Sequence, residues 1–358
     1  MNKVIAIIFL SASAAVVSGQ EPVSVYADKT KLLVWRDASG KEHAVKTPAD
    51  WAKRRAHIVA NMEKVMGPLP DASKKVPLDV KYLDEVRTPR FIRKKLTFAV
   101  ARGERVPGYL FLPAGVKDKV PGILCLHQTN GALGSKEPAG LGGLPSLHYA
   151  LHLAERGYVT LAIDYPSFGE YPFDFKKSEF VSGTMKAIWN NMRAIDLLQS
   201  LPQVDGERIG CIGHSLGGHN TMFTAVFEPR IKVLVSNCGF NAFPKYYKGD
   251  LRGWTSDRYM PRIARLYDSS PARVPFDFPE IVAAFAPRPF LASSPLRDSN
   301  FEVSGVKDCI AAARPVYALR GAGDRLAANY PDCAHDFPPQ VRKTAYDFLD
   351  RWLKEARQ

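Results

Sequence analysis

The segment GCIGHSLGGH, residues 210–219, places a glycine two positions before Ser215 and another two positions after it. Ser215 follows the apolar run RIGCI and precedes residues typical of a helix. A serine on such a strand-to-helix turn projects above the sheet, where its hydroxyl can attack an acyl carbon. Glycines also suit a turn that does no chemistry, so the rest of the chain must supply a base, an acid and an oxyanion hole.

One histidine is placed to be the base. When the chain order is serine, acid, histidine, the base lies between the last core strand and the closing helix. His335, in NYPDCAHDFPP, is the only histidine after His219, and a helical pattern follows it. We therefore predict that Ser215 is the nucleophile and that His335 is its base.

The acid should lie beyond the strand predicted at PRPFLASSP. Asp298 is the first carboxylate after that strand, and we predict that it orients His335. A further core strand is predicted at PVYALRG, residues 315–321. Three other carboxylates remain alternatives to Asp298: Glu302, Asp308 and Asp324. Asp324 lies beyond PVYALRG.

Two backbone amides would form the oxyanion hole. The helix after Ser215 begins at Leu216, whose amide would face a developing negative charge at the helix N-terminus. The second amide should come from the loop LHQTNGALG, after the first parallel strand. Thr129 is the predicted donor and Gln128 the second choice, whereas His127 is predicted to pack the loop.

A largely parallel sheet is predicted to position these residues. From Val120 onward, short apolar strands alternate with helical patterns, which indicates helices on both faces of a parallel sheet. Strand-like runs from residue 76 to 113 lead into it as antiparallel strands. The amphipathic pattern PADWAKRRAHIVANMEKVMGPLP predicts a helix that ends at Gly67. We predict an N-terminal arm over residues 20–75 and one catalytic domain over 76–358.

From about Arg87 to Trp352 the chain resembles an α/β-hydrolase. VDGERIGCIGHSLGG and DYPSFGE are similar to segments of the dienelactone hydrolase, prolyl oligopeptidase and acetylxylan esterase relatives. The resemblance implies a triad of Ser215, His335 and Asp298 and no cofactor. Two departures favour an esterase: we expect no propeller before the catalytic domain, and the nucleophile is serine where dienelactone hydrolases have cysteine.

A long interruption at about residues 240–285 is predicted to form a cap before the acid strand. Its aromatic residues Tyr246, Tyr247, Trp254 and Tyr259 lie among lysines and arginines, and they could stack on sugar rings. The alternative is that these rings only pack the cap onto the sheet. We predict a serine carboxylic-ester hydrolase acting on a small-molecule or polysaccharide ester. A short-peptide hydrolase and a non-catalytic binder on a hydrolase scaffold are the alternatives.

The N-terminal sequence predicts export. A lysine, an apolar stretch from Val4 to Val17 and small residues are typical of a signal peptide, here residues 1–19, with a retained anchor as the alternative. The mature protein would then be periplasmic or extracellular and without a membrane anchor. The net charge of +13 is spread along the chain, which suits attraction to anionic polysaccharide better than nucleic-acid readout.

The cysteines and paired histidines do not predict a metal site. The five cysteines include no CxxC spacing, although Cys309 and Cys333 could pair in an oxidising compartment. His148 and His152 have the i,i+4 spacing of metal ligands. No acidic residue lies between them and no third ligand is evident, so no metal is predicted.

Overall fold

The computed structural model describes residues 24–355. Its strands are β1 (Val34–Arg36), β2 (Glu42–Ala44), β3 (Lys81–Arg87), β4 (Phe91–Ala101), β5 (Glu104–Pro113), β6 (Val120–Leu126), β7 (Val159–Ile163), β8 (Val204–His214), β9 (Ile231–Asn237), β10 (Phe290–Ser293) and β11 (Leu326–Asn329). Its α-helices are α1 (Pro48–Met66), α2 (Tyr149–Glu155), α3 (Gly183–Ser200), α4 (Leu216–Phe227), α5 (Arg262–Tyr267), α6 (Phe278–Ala284), α7 (Val303–Leu319) and α8 (Pro339–Leu353).

Nine strands form the main sheet, in the order β11-β10-β9-β8-β6-β7-β5-β4-β3. The strands from β6 onward pair in parallel, whereas β3, β4 and β5 are antiparallel and β5 joins the parallel part through β7. Strands β1 and β2 make a separate hairpin. The predicted α/β architecture, with antiparallel strands leading into a parallel sheet, is confirmed.

Helices cover both faces of this sheet because its central strands are apolar on both sides. The larger core cluster includes buried residues of α1, α3, α4, α6 and α7, and a second cluster joins α2 and α8 to the opposite face. Parallel strands covered in this way bring their carboxyl ends to one edge, where ligands bind in open α/β sheets. The loops after β6, β8 and β10 all start at that edge.

Helix α1 ends at Gly67, as predicted, and its first turn is held by a side-chain cap. Thr47 and Asp50 form a capping box, and Gly67 ends the helix with φ 91°. A fully buried ion pair, with 2.6 Å between Arg54 Nη2 and Glu280 Oε1, joins α1 to α6. Helix α1 thus belongs to the same core as the other helices on this face of the main sheet. The predicted signal peptide, residues 1–19, lies outside the described residues.

The prediction of a strand at PVYALRG was wrong, because these residues lie at the end of α7 and in the turn that follows it. The run looks like a strand because a valine and a tyrosine are adjacent. The helical pattern becomes clear only when the buried residues before this run are included, because the whole set recurs at three- and four-residue spacing. These residues are Val306, Cys309, Ile310, Ala313, Val316 and Tyr317. The last strand is β11, so Asp324 precedes it.

The predicted cap segment contains two 3₁₀ helices, Phe243–Gly249 and Leu251–Trp254, followed by α5 and α6. Its apolar side chains join the larger core cluster. Cys309 and Cys333 are not bonded to each other, and both are free thiols. Among residues 24–355, no helix has the length and apolar character that a membrane crossing requires.

Candidate active site

Ser215 lies on a sharp turn between β8 and α4, with φ 54° and ψ −117°. A Cβ on Gly213 would lie 2.2 Å from backbone atoms of Gly217, and a Cβ on Gly217 would lie 1.8 Å from the Leu126 carbonyl oxygen. Only glycine fits either position, so the two glycines of the motif are required by this packing. The turn holds the serine side chain at the carboxyl edge of the sheet.

The backbone of Ser215 is fixed while its hydroxyl is free. Its amide donates to the Asn237 carbonyl at 2.9 Å. Within residues 24–355, the hydroxyl makes no hydrogen bond, so the structure does not join Ser215 Oγ directly to His335. Catalytic hydrogen bonds of this kind often shorten only when substrate is bound.

Asp298 and His335 are directly paired. Both carboxylate oxygens of Asp298 lie 2.9 Å from Nδ1 of His335. Asp298 Oδ1 also accepts the amides of Asn300 at 2.8 Å and Phe301 at 3.0 Å. Burial raises the pKa of this carboxyl, but the hydrogen bonds from His335 and the two amides outweigh it, and the pKa is below its usual value. The carboxylate is therefore ionised and points at the imidazole.

Two further residues support this pair, and one of them, His214, was predicted from the sequence to pack beside the serine turn. The buried His214 ring packs edge-on against His335, with 4.8 Å between ring centroids. Asn237 Nδ2 lies 2.7 Å from His214 Nδ1 and donates to the Asp336 carbonyl at 3.1 Å. Asn237 thus contacts both the Ser215 turn and the loop that contains His335. Its position at the end of β9, next to the serine strand, was the signal available in the sequence.

The two predicted oxyanion donors lie in the same cleft. Leu216 opens α4, so its amide has no acceptor within the helix, and Thr129 lines the cleft together with Ser215. Gln128 instead turns inward and is 7% exposed. His127 Nδ1 lies 2.6 Å from the Gln128 carbonyl, and His127 Nε2 accepts the Tyr165 amide at 2.9 Å. His127 is therefore a loop-packing residue, as predicted.

A buried carboxylate holds the loop that contains Thr129. Glu137 is 2% exposed, and its Oε2 accepts hydrogen bonds from the side chains of Gln128 and, at 2.8 Å, Asn130. Its Oε1 accepts the Leu144 amide at 2.9 Å. Glu137 thus holds the residues on both sides of Thr129 in place through hydrogen bonds. Glu137 could not be predicted from the sequence, since an isolated glutamate nine residues after Gln128 belongs to no recognisable motif.

The cleft around Ser215 is small, with a volume of about 60 Å³. Tyr259 lines it, and its hydroxyl lies 3.3 Å from Thr129 Oγ1. Tyr247 is 56% exposed and bonds Asn300 through its hydroxyl, but it does not line the cleft. Tyr246, which was also predicted to stack on sugar, lines the cleft as well. Three further side chains in the wall were not predicted to contact substrate: His219, Asn300 and Phe301.

Trp254 lines the cleft but is only 3% exposed. Its ring centroid lies 5.6 Å from that of Phe278, 5.9 Å from Phe243 and 4.7 Å from His219. An indole surrounded in this way packs the cap onto the core and offers little surface to a sugar. The structure thus favours the packing alternative at this position.

His214 and His219, which lie near the site, are uncharged at neutral pH. Burial lowers the pKa of His219 to about 3, against a smaller opposing effect of its hydrogen bond to the Gly239 carbonyl. Burial also lowers the pKa of His214 to about 3, and the nearby His335 lowers it further. His148 and His152 bond to the Gly142 carbonyl and the Tyr346 hydroxyl respectively.

One group of side chains within residues 24–355 could hold a metal ion. Cys238, Asp298 and His335 each place a ligand atom within 4.8 Å of the others. Burial raises the pKa of the Cys238 thiol well above its usual value. The hydrogen-bonded acid and base are the better account of this cluster.

Comparison with known proteins identifies the family. The model of the prolyl oligopeptidase family, Peptidase_S9, matches residues 146–358, which include Ser215, Asp298 and His335. The chain belongs to the prolyl oligopeptidase family. The predicted resemblance to α/β-hydrolases is thereby confirmed, and the protein is a serine hydrolase.

This prolyl oligopeptidase family member is also similar to hydrolases with other names. YtaP of Bacillus subtilis, which carries the name of a hydrolase, is 27% identical over 84% of this chain and all of its own length. The 4-O-methyl-glucuronoyl methylesterase 1 of Wolfiporia cocos is 25% identical over 51% of this chain. The alignment spans only about half of that esterase, 49%.

Among solved structures, a glucuronoyl esterase from Solibacter usitatus superposes with a TM-score of 0.68 and 19% identity, over 92% of this chain and 98% of its own. At this identity the likeness concerns the fold. The fold of this family member is therefore also that of carbohydrate esterases.

Proposed function

We propose that the protein hydrolyses carboxylic esters of carbohydrates, with Ser215 as nucleophile, His335 as base and Asp298 as the acid that orients it. The observation that carries the proposal is the buried, ionised Asp298 on His335 Nδ1, at the same sheet edge as the strained Ser215 turn. The similarity to a glucuronoyl methylesterase supports an ester of a uronic acid as the substrate.

The mechanism follows from these positions. His335 removes the proton of Ser215 as its oxygen attacks the ester carbonyl, and the amides of Leu216 and Thr129 stabilise the oxyanion. The alcohol leaves with the proton from His335. Water then attacks the acyl-enzyme with His335 again as base, which releases the acid and restores the serine.

The cleft volume of about 60 Å³ suits a small reacting group. Its size is appropriate for the acyl group or the methyl alcohol of an ester. A peptide substrate needs subsites on both sides of the bond, and its amine must be protonated in good geometry as it leaves. We therefore place ester hydrolysis ahead of peptide hydrolysis, although the family name makes a peptidase the second candidate.

Export completes the proposal. The N-terminal pattern predicts a signal peptide over residues 1–19, and a polysaccharide substrate would be met outside the cell. We further propose residues 20–75 as an arm on a catalytic domain of residues 76–358, with the cap segment at about 240–285. Intact-mass measurement of the protein secreted by its host would test processing near Gln20.

Activity and labelling test the chemistry. The wild type should hydrolyse p-nitrophenyl acetate and methyl glucuronate, and a fluorophosphonate should label it at Ser215. Ser215→Ala and His335→Ala should each lose on the order of 10⁶ in kcat. Faster turnover of dipeptidyl anilides than of esters would favour the peptidase, and absence of both turnover and labelling would favour a non-catalytic binder.

A further inference from the structure

The cleft at Ser215 is too small for a sugar chain. Its volume of about 60 Å³ is well below the range of about 300–1,000 Å³ in which ligand pockets normally fall. It can therefore contain the reacting ester only, and the rest of a polymeric substrate must lie against another surface. This reasoning rests on the proposed function.

Two adjoining depressions beside the cleft have volumes of about 530 and 610 Å³. Phe175, Lys176 and Asp257 line both, so the two form one continuous groove, here called the Phe175 groove. The first depression extends to Phe173, and the second to Arg262. Each depression is within the size range of carbohydrate-sized ligands.

A short, rigid segment separates the Phe175 groove from the cleft. Asp257 lines the groove and Tyr259 lines the cleft, and two residues of chain place their Cα atoms at most about 7 Å apart. The Asp257 carbonyl accepts the Gly183 amide at 2.9 Å, and the Arg258 carbonyl accepts the Tyr165 hydroxyl at 2.7 Å. A substrate chain in the groove could therefore present its ester to Ser215 across Tyr259.

The floor of the Phe175 groove is aromatic and well supported. Phe173, Phe175 and Phe180 are half-buried, and the first two rings meet edge to face with 5.0 Å between centroids. The buried ammonium of Lys186 lies 5.5 Å from the centre of Phe173 and 4.9 Å from that of Phe180. Rings held in this way present a rigid apolar floor to a sugar.

Cations border this floor. Lys176 is exposed and lines both depressions, and Arg262 is half-buried with one N–H bonded to the Lys64 carbonyl at 2.8 Å. Two acids also line the groove, and each has a basic partner: Asp257 pairs with Arg265 at 2.7 Å, and Asp174 with Lys177 at 3.8 Å. Lysine and arginine bind carboxylates with charge-assisted hydrogen bonds. We propose that the Phe175 groove binds the uronate-bearing chain of the polysaccharide whose ester lies at Ser215.

Kinetics with substrates of two lengths test the proposal. The methyl ester of a hexauronate should reach the groove, and the methyl ester of a single uronate should not. For Lys176→Gln and Phe175→Leu, we expect the ratio of hexamer KM to monomer KM to rise about tenfold. Lys117→Gln is the control, since Lys117 is an exposed lysine that lines neither depression. An unchanged ratio in both groove variants would overturn the proposal.

Direct binding separates the groove from the chemistry. Ser215→Ala protein should bind unesterified hexauronate in calorimetry more tightly than a neutral xylohexaose, and added Lys176→Gln should weaken that binding about tenfold. If the wild type cleaves no ester but this pattern appears, the proposed function fails and the groove stands. Absence of binding, or equal affinity for the neutral and acidic chains, would overturn the groove as a uronate site.

Discussion

Both carboxylate oxygens of Asp298 lie 2.9 Å from Nδ1 of His335, and the Asp298 side chain is 1% exposed. A buried carboxylate in this position fixes the tautomer with the proton on Nδ1 and leaves Nε2 free to act as base. Asp298 lies five residues beyond the end of β10, in a loop whose backbone amides bond its side chain. Amides of the same loop bind one oxygen of the carboxylate, so the acid does not depend on the histidine for its position.

Asp298→Asn should lower kcat by about 10⁴ with the fold intact, because an amide no longer selects the required tautomer. Hydrolysis of p-nitrophenyl acetate measures the loss. Asp324→Asn and Glu302→Gln are the controls, since these carboxylates bond to Arg351 and Ser304 and not to His335. Full activity of Asp298→Asn with loss in either control would show that the acid is assigned to the wrong residue.

Glu137→Gln should lower kcat about 10- to 100-fold with little change in KM, because loosening the loop moves the Thr129 amide away from the oxyanion. The affinity of a trifluoromethyl ketone, which forms a tetrahedral adduct, should fall in proportion to kcat. If Glu137 had a purely structural role, the substitution would lower the unfolding midpoint, and the affinity for the ketone would not fall in proportion to kcat. Glu155→Gln, which alters an ion pair with Arg90 at the surface, is the control.

Acid should destabilise the protein partly through His219. Its pKa is about 3 in the folded state and about 6.5 in an unfolded chain, so the unfolded state binds more protons between these values. The stabilisation is full above about pH 6.5 and is lost as the pH falls toward 3. Between pH 7 and pH 5, the free energy of unfolding in urea should fall about 2 kcal/mol less in His219→Gln than in the wild type. An equal fall in both proteins would contradict the buried, neutral state.

Trp254→Ala should lower the free energy of unfolding by about 3–5 kcal/mol, because removing the indole leaves a cavity among the aromatic side chains of the core. Turnover of aryl acetate and of a carbohydrate ester should fall together. Tyr247→Ala removes an exposed ring of the same segment and should cost less than about 1 kcal/mol. Normal stability of Trp254→Ala, with a selective loss on the carbohydrate ester, would make Trp254 a substrate-binding residue after all.

The sequence was sufficient for the elements whose signals are local. The glycines around Ser215, the capping residues of α1 and the apolar strands from β6 onward each depend on near neighbours in the chain, so their patterns predict the parallel sheet and the serine turn. The position of His335 could be predicted because few histidines compete for it. The prediction of a strand at PVYALRG was wrong because it depended on a local pattern alone. A short apolar run does not distinguish a strand from the end of a helix.

Only the tertiary structure decided which distant residues meet. Asn237 between the serine turn and the His335 loop, and the Phe175 groove beside Tyr259, each join segments that are far apart in the chain. The burial of Trp254 is a further case, since an aromatic residue among lysines and arginines has the same sequence pattern whether it faces a substrate or the core. A side chain's environment depends on the packing of remote elements, and local patterns contain no information about that packing.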